Sequence, residues 1–208
     1  MIFNFMMLTQ RHSFNGDYLS FISKAVRLGV NCIQFREKHI TKESIDFALD
    51  LKKLLQPYNV PLIINDNLNL AKEVNADGVH LGQNDTDVSV ARKILGDKKI
   101  IGLSLEDYPQ IDTANQLNVD YVACSAVFPT KSKNNIKKIW GLNGLADMCK
   151  KSIHPVIAIG GIDENNADSI IANGAAGVAV ISALHDSQNL DAAIAKFNQA
   201  LEKTSWKK

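Results

Sequence analysis

Arg36 and Lys38 stand two apart in the segment Gln34-Phe35-Arg36-Glu37-Lys38, directly after a short apolar run. In extended backbone that spacing sends Gln34, Arg36 and Lys38 to one side and Phe35 and Glu37 to the other. Two cations on one side make an anion clamp. The guanidinium can hold a phosphate through paired hydrogen bonds, and the ammonium acts as a point charge. The plainer alternative is a solvated charge run balanced by Glu37. Asn65-Asp66 and Gln83-Asn84-Asp85 follow the next two apolar runs. Mg2+ is typically held by one or two carboxylates, with water and phosphate oxygens completing its shell. Asp66 and Asp85 are therefore candidate ligands of one ion, although each could instead cap the helix that follows it.

Further along, Ser104 ends the run Ile101-Gly102-Leu103-Ser104, where its hydroxyl could donate to a phosphate or a heterocycle. Thr130, Lys131, Ser132 and Lys133 interleave hydroxyls and ammonium groups after Phe128-Pro129. That mixture suits phosphate, and it also suits an ordinary polar surface loop. Gly160-Gly161 and Ile181-Ser182 close the last two runs. A glycine lets backbone N–H groups approach an anion with no Cβ in the way, while a tight turn would want the same residue. His80 lies within an apolar run and reads as a core residue or a support for the site. His154 precedes the seventh run, and His12 and His39 fall on loops.

These residues need a scaffold that gathers the ends of successive strands. Eight apolar runs are present: Phe3–Leu8, Asn31–Phe35, Pro61–Ile64, Gly78–Leu81, Ile100–Leu103, Tyr121–Cys124, Pro155–Ile159 and Gly177–Ile181. Several are continuously apolar, as parallel strands buried on both faces require. Helical patterns lie between them. Tyr18–Leu28 is one; another opens at Thr41 as N-cap, with Glu43 and Ser44 in its first turn. Asp163–Asn173 ends at Gly174, and Leu190–Leu201 is an alanine-rich amphipathic stretch. The expected fold is α/β, a single-domain (β/α)8 barrel over residues 1–208, with chemistry where strands end. The absence of GxGxxG after the first run disfavours a dinucleotide fold.

Composition narrows the class. Hydrophobic residues make up 46% of the 208, enough for a globular core without staples. A net charge of +1 favours neither nucleic acid nor a membrane surface, so anion sites must be local. Three cysteines, Cys32, Cys124 and Cys149, without a CxxC pair, point to a reducing compartment and hence to the cytoplasm. No apolar run approaches the roughly 20 residues of a membrane span. The first residues read as a buried strand, since they lack a basic leader and a small-residue cleavage site.

Taken together, QFREK, IINDN, ADGVHLGQND, IGLS, VFPTKSK, AIGGI and GVAVIS, in this order from Ile33 to Ser182, resemble the thiamine phosphate synthase family. The resemblance implies small-molecule substrates. The family joins 4-amino-2-methyl-5-(diphosphomethyl)pyrimidine to 4-methyl-5-(2-phosphoethyl)thiazole, or its carboxylated form, and releases pyrophosphate. Carried over, Gln34, Arg36, Lys38, Asn65, Ser104 and Lys133 would meet the pyrimidine diphosphate. Arg36, Lys38, Ser104 and Lys133 would be its catalytic contacts. Asp66 and Asp85 would hold one Mg2+ per subunit. Thr130, Ser132, Gly161, Ile181 and Ser182 would hold the thiazole phosphate, and Phe35, Glu37 and Lys131 complete the substrate-contact candidates. Oligomeric state stays open, a homo-oligomer included. The chain departs from the family pattern at Gln10-Arg11, at Cys124-Ser125-Ala126 and at Ser132. A related thiazole tautomerase would not need the clamp and carboxylates together. A phosphosugar isomerase would need an acid/base pair, and a silent regulator would show a degraded clamp.

Overall fold

Strict alternation within the apolar runs decides which side chains fill the centre of the molecule. The computed structural model describes residues 4–132 and 136–204. Its strands are β1 (Phe5–Leu8), β2 (Cys32–Phe35), β3 (Leu62–Asn65), β4 (Gly78–Leu81), β5 (Ile100–Leu105), β6 (Tyr121–Ser125), β7 (Val156–Ile159) and β8 (Gly177–Val180). All pair in parallel in chain order, and β8 pairs back onto β1 to close the barrel. Their bounds fall within two residues of the expected runs; Phe3 lies outside the described residues.

Inside the barrel, Met6, Leu8, Cys32, Ile63, Tyr121, Ile157 and Ala179 pack as one cluster. Their chain neighbours Met7, Ile33, Ile64, Val122, Ala158 and Val178 face the other way, into a larger core shared with the helices. Each strand is thus buried on both faces, which is why the runs read as continuously apolar. Glycine sets the centre. A Cβ on Gly102 would lie 2.1 Å from Cζ of Tyr121, so the bare β5 backbone is what admits that ring.

The helices are α1 (Tyr18–Leu28), α2 (Lys42–Leu55), α3 (Leu68–Glu73), α4 (Val88–Leu95), α5 (Pro109–Ala114), α6 (Gly141–Lys151), α7 (Ala167–Ala172), α8 (Ser182–His185) and α9 (Leu190–Leu201). Thr41 caps α2 in a reciprocal box with Ser44. α7 is shorter than the expected Asp163–Asn173. Asp163 and Asn166 bond each other's backbone N–H groups through their side chains, both at 3.1 Å, in a reciprocal box ahead of it. Among the described residues no helix is long and apolar enough to cross a membrane. Cys32, Cys124 and Cys149 are all free.

Gly102→Ala is expected to lower the free energy of unfolding by about 1–3 kcal/mol through overpacking against Tyr121. A urea denaturation curve checks this, and an unchanged midpoint would mean the ring can move aside without cost.

Candidate active site

Carrying each strand's inward alternation one or two residues past its C-terminal end produces the wall of a cavity. The cavity has a volume of about 390 Å³, and Gln34, Asn65, His80, Ser104, Ser125 and Ile159 line it. The same parity brings Arg36, Gly161 and Ile181 to the wall, joined by Asp66, Asp85, Thr130, Ser132 and Ser182. Most of the residues singled out from the sequence therefore meet in one place.

Five do not. Phe35 points outward and packs on Phe47 of α2, with ring centroids 6.1 Å apart. Glu37 shares its outward side, and its side chain is only 2% exposed. It binds Nε of Arg11 and Nε2 of His12, each at 2.6 Å. Glu37 thus ties down the loop after β1 and does not balance Arg36 and Lys38. Lys131 is exposed and lies off the cavity wall. Lys38 is also exposed and lines an adjoining groove that shares Arg36, Asn65 and Asp66 with the cavity. The strand has ended by then, so alternation no longer governs where Lys38 points. Lys133 lies outside the described residues.

The cationic side of the cavity is held by β1. Thr9 is fully buried, and its hydroxyl accepts the backbone N–H of Arg36 at 2.9 Å. Nη2 of Arg36 donates to the carbonyl of Ser132 at 3.2 Å, linking this side to the loop after β6.

Asp66 and Asp85 are released from capping by their neighbours. Asn67 caps α3 by accepting Leu70 N–H at 2.8 Å, and Asp87 caps α4 by accepting Ser89 N–H at 2.8 Å. Asp66 itself has φ +62°, the left-handed conformation that Asp and Asn tolerate best among ordinary side chains. This turns the chain sharply as it leaves β3. Oδ2 of Asp85 accepts Gly82 N–H at 2.6 Å. Partial burial and then the Asp85 carboxylate beside it push the Asp66 carboxyl up to about 6, against a smaller pull from Arg36. Two facing carboxylates of which one resists ionisation make a donor set suited to a divalent cation. Among the described residues no group of three or more His, Cys, Asp or Glu could hold a metal, so water and phosphate oxygens would complete the shell.

Other wall residues carry no substrate or metal role in the sequence reading. His80 joins the barrel centre to the mouth: Nδ1 lies 2.8 Å from Oη of Tyr121, and Nε2 lies 2.8 Å from Oγ of Ser104. It therefore supports Ser104, in line with its reading as a core or supporting residue. Gln83 Nε2 donates to the Ser104 carbonyl at 2.7 Å, fixing the same residue from its backbone. Glu106 also lines the cavity and pairs with Lys137 at 3.1 Å. Alternation beyond Ser104 could have found Glu106; no local signal marks Lys137.

The opposite side is built from glycines and hydroxyls. Gly160 has φ +98° and Gly161 φ +66°. A Cβ on Gly161 would lie 2.6 Å from the Pro129 carbonyl oxygen and 2.7 Å from Cβ of Phe128. Glycine is thus required both for the turn and for the close passage of the loop after β6. Nδ2 of Asn166 donates to the Gly161 carbonyl at 3.0 Å, and Ser132 N–H donates to Oγ1 of Thr130 at 3.2 Å.

A family model described as thiamine monophosphate synthase matches residues 5–184. The thiamine-phosphate synthase of Chlamydia caviae is 40% identical over 189 residues, covering 90% of this chain and 89% of the relative. That of Vibrio parahaemolyticus is 44% identical over 169 residues, covering 81% and 83%. The solved thiamine phosphate pyrophosphorylase from Pyrococcus furiosus superposes with a TM-score of 0.86 at 28% identity, over 98% of each chain.

The raised Asp66 carboxyl has a consequence for stability. Its folded value of about 6 exceeds the ordinary 3.8, so the folded chain holds a proton more tightly. The associated stability is present below the ordinary value and is lost as pH rises through about 6. At pH about 7.5 without divalent ions, Asp66→Asn should therefore melt above the parent, because Asn keeps the left-handed turn and removes the charge. The gain should be modest, since the open mouth screens part of the repulsion, and should shrink as pH falls below that of the Asp66 transition. Thermal melts across pH check it, and a variant melting below the parent throughout would contradict the carboxylate repulsion.

Proposed function

The chain belongs to the thiamine monophosphate synthase family and is a transferase of the thiamine-phosphate synthase type, and from that premise we propose how its residues carry the reaction. The substrates are a pyrimidine bearing a diphosphomethyl group and a thiazole bearing a phosphoethyl group, either plain or carboxylated on the ring. The observation that carries this reading is the division of one cavity. A cation and two carboxylates gather at the ends of β2 to β4, while glycines and hydroxyls gather at the ends of β6 to β8. One end suits a metal-bound diphosphate and the other a monophosphate.

The diphosphate lies toward Arg36, with Gln34, Asn65 and Ser104 beside the pyrimidine. Mg2+, one ion held by Asp66 and Asp85, would offset the charge that grows on the departing pyrophosphate. Arg36 adds a fixed positive charge to the same oxygens, and Lys38 reaches them from the adjoining groove. Lys133 keeps the pyrophosphate-contact role that the family resemblance implies. The carbon–oxygen bond from the pyrimidine methylene to the diphosphate breaks, and its electron pair leaves with pyrophosphate. The thiazole nitrogen then forms the new carbon–nitrogen bond with its own lone pair; from the carboxylated thiazole the ring carboxylate also leaves as CO2, and the electron pair it leaves on the ring carbon takes a proton from water. No proton is taken from the nucleophile, which agrees with a wall that offers cations and carboxylates but no assigned base. Gly161, Ser182, Thr130 and Ser132 hold the thiazole phosphate so that its nitrogen faces the methylene carbon. Three free thiols support a reducing, cytoplasmic setting.

Incubation with both substrates and Mg2+ should release one pyrophosphate per thiamine phosphate formed, and neither substrate alone should release any. Asp85→Asn should cut turnover by about 10² or more at saturating substrate, and Mg2+ should raise the melting temperature of the parent but not of this variant. Full turnover by Asp85→Asn, or turnover indifferent to chelator, would refute the metal assignment.

A further inference from the structure

Ile181 and Ser182 form part of the cavity wall, yet β8 has already ended at Val180 and no strand pairing fixes the peptide between them. Its orientation depends on the Ile181 carbonyl. That oxygen accepts Leu184 N–H and His185 N–H, each at 3.2 Å. It also lies 2.8 Å from Nδ1 of the His185 ring.

A carbonyl oxygen can only accept, so Nδ1 carries the proton of the neutral ring and Nε2 is left as an acceptor. Nε2 lies 2.7 Å from Oη of Tyr18, which therefore donates to it. The same Oη accepts Gln10 N–H at 2.7 Å. Every donor in this chain points one way, from Gln10 to Tyr18, to His185, to Ile181. The ring is packed among Phe14, Tyr18 and Phe21. Burial among them lowers its affinity for a second proton, against smaller opposing effects of the Ile181 backbone and Asp186. A second proton would also sit at Nε2 and displace the Tyr18 hydroxyl proton.

In a trans peptide the C=O and the following N–H point in opposite directions. Three donors draw the Ile181 oxygen toward α8, so the Ser182 N–H faces away from α8, toward the cavity. We infer that His185 is a positioning residue: it orients the Ile181–Ser182 peptide so that the Ser182 N–H meets the substrate monophosphate, and Tyr18 locks that orientation to the loop after β1. The identity of the ligand rests on the synthase reading, whereas the peptide orientation rests on the hydrogen bonds alone.

Two measurements on the full chain test this. Long-range proton–nitrogen NMR of the parent should show His185 protonated at Nδ1 with Nε2 bare. In steady-state kinetics, His185→Gln places its amide near Nε2 and abandons Ile181. It should raise KM for the thiazole phosphate about tenfold and leave KM for the pyrimidine diphosphate within about twofold. His185→Asn keeps a donor near Nδ1 and should return the first KM to within about threefold of the parent. An Nε2–H tautomer would overturn the orientation. So would equal effects of Gln and Asn, or equal increases in both KM values, which would mark a general structural role. Parent protein that makes no thiamine phosphate would sink the synthase reading instead, and the tautomer would still decide the orientation.

Discussion

Asp66 and Asp85 carry like charges at the ends of two adjacent strands, and nothing in water would hold them so close. The barrel does so because β3 and β4 are hydrogen-bonded neighbours whose loops leave the sheet side by side. Burial first, and then their repulsion, raises the Asp66 carboxyl. The repulsion is sustained by the fold around it: helix caps supplied by Asn67 and Asp87, a left-handed turn at Asp66, and Arg36 on the next strand. A bound divalent cation would turn this repulsion into attraction. On the proposed reading, that attraction would favour a metal-bound state and through it a diphosphate.

The glycine-rich end of the cavity is built by a different means. It carries little charge of its own and depends on backbone geometry. Gly160 and Gly161 adopt conformations closed to most side chains and let the loop after β6 pass within van der Waals distance. Asn166 holds the Gly161 carbonyl, and His185 holds that of Ile181. In both cases a side chain grips a backbone carbonyl beside the cavity wall. The two ends are joined across the mouth by the bond from Arg36 to the Ser132 carbonyl.

Much of this is legible in the sequence because period-two alternation continues past the strand ends. Gln34, Arg36, Asn65, Ser104, Gly161 and Ile181 all sit on the inward parity of their strands, and all line the cavity. The same rule sets Phe35 and Glu37 on the outer side, where Phe47, Arg11 and His12 take them up. Family resemblance alone had grouped those two with the site. Alternation fails at Lys38 and Lys131, which lie in loops where no sheet imposes a direction. Roles that depend on partners far apart in the chain were not legible either. Lys137 reaches Glu106 because the loops after β5 and β6 leave neighbouring strands, and Tyr18 reaches His185 because the closed barrel brings the first loop beside the last.

The central claim is that one cavity separates a metal-bound diphosphate from a monophosphate along a line from β3 to β7. A crystal structure with Mg2+, pyrophosphate and thiamine phosphate bound together tests it most directly. The account predicts one ion held by both Asp66 and Asp85, with pyrophosphate between it and Arg36. It predicts the product's phosphate on the Gly161 and Ser182 backbone. An ion bound elsewhere, or both phosphorus groups on the same side of the mouth, would contradict it.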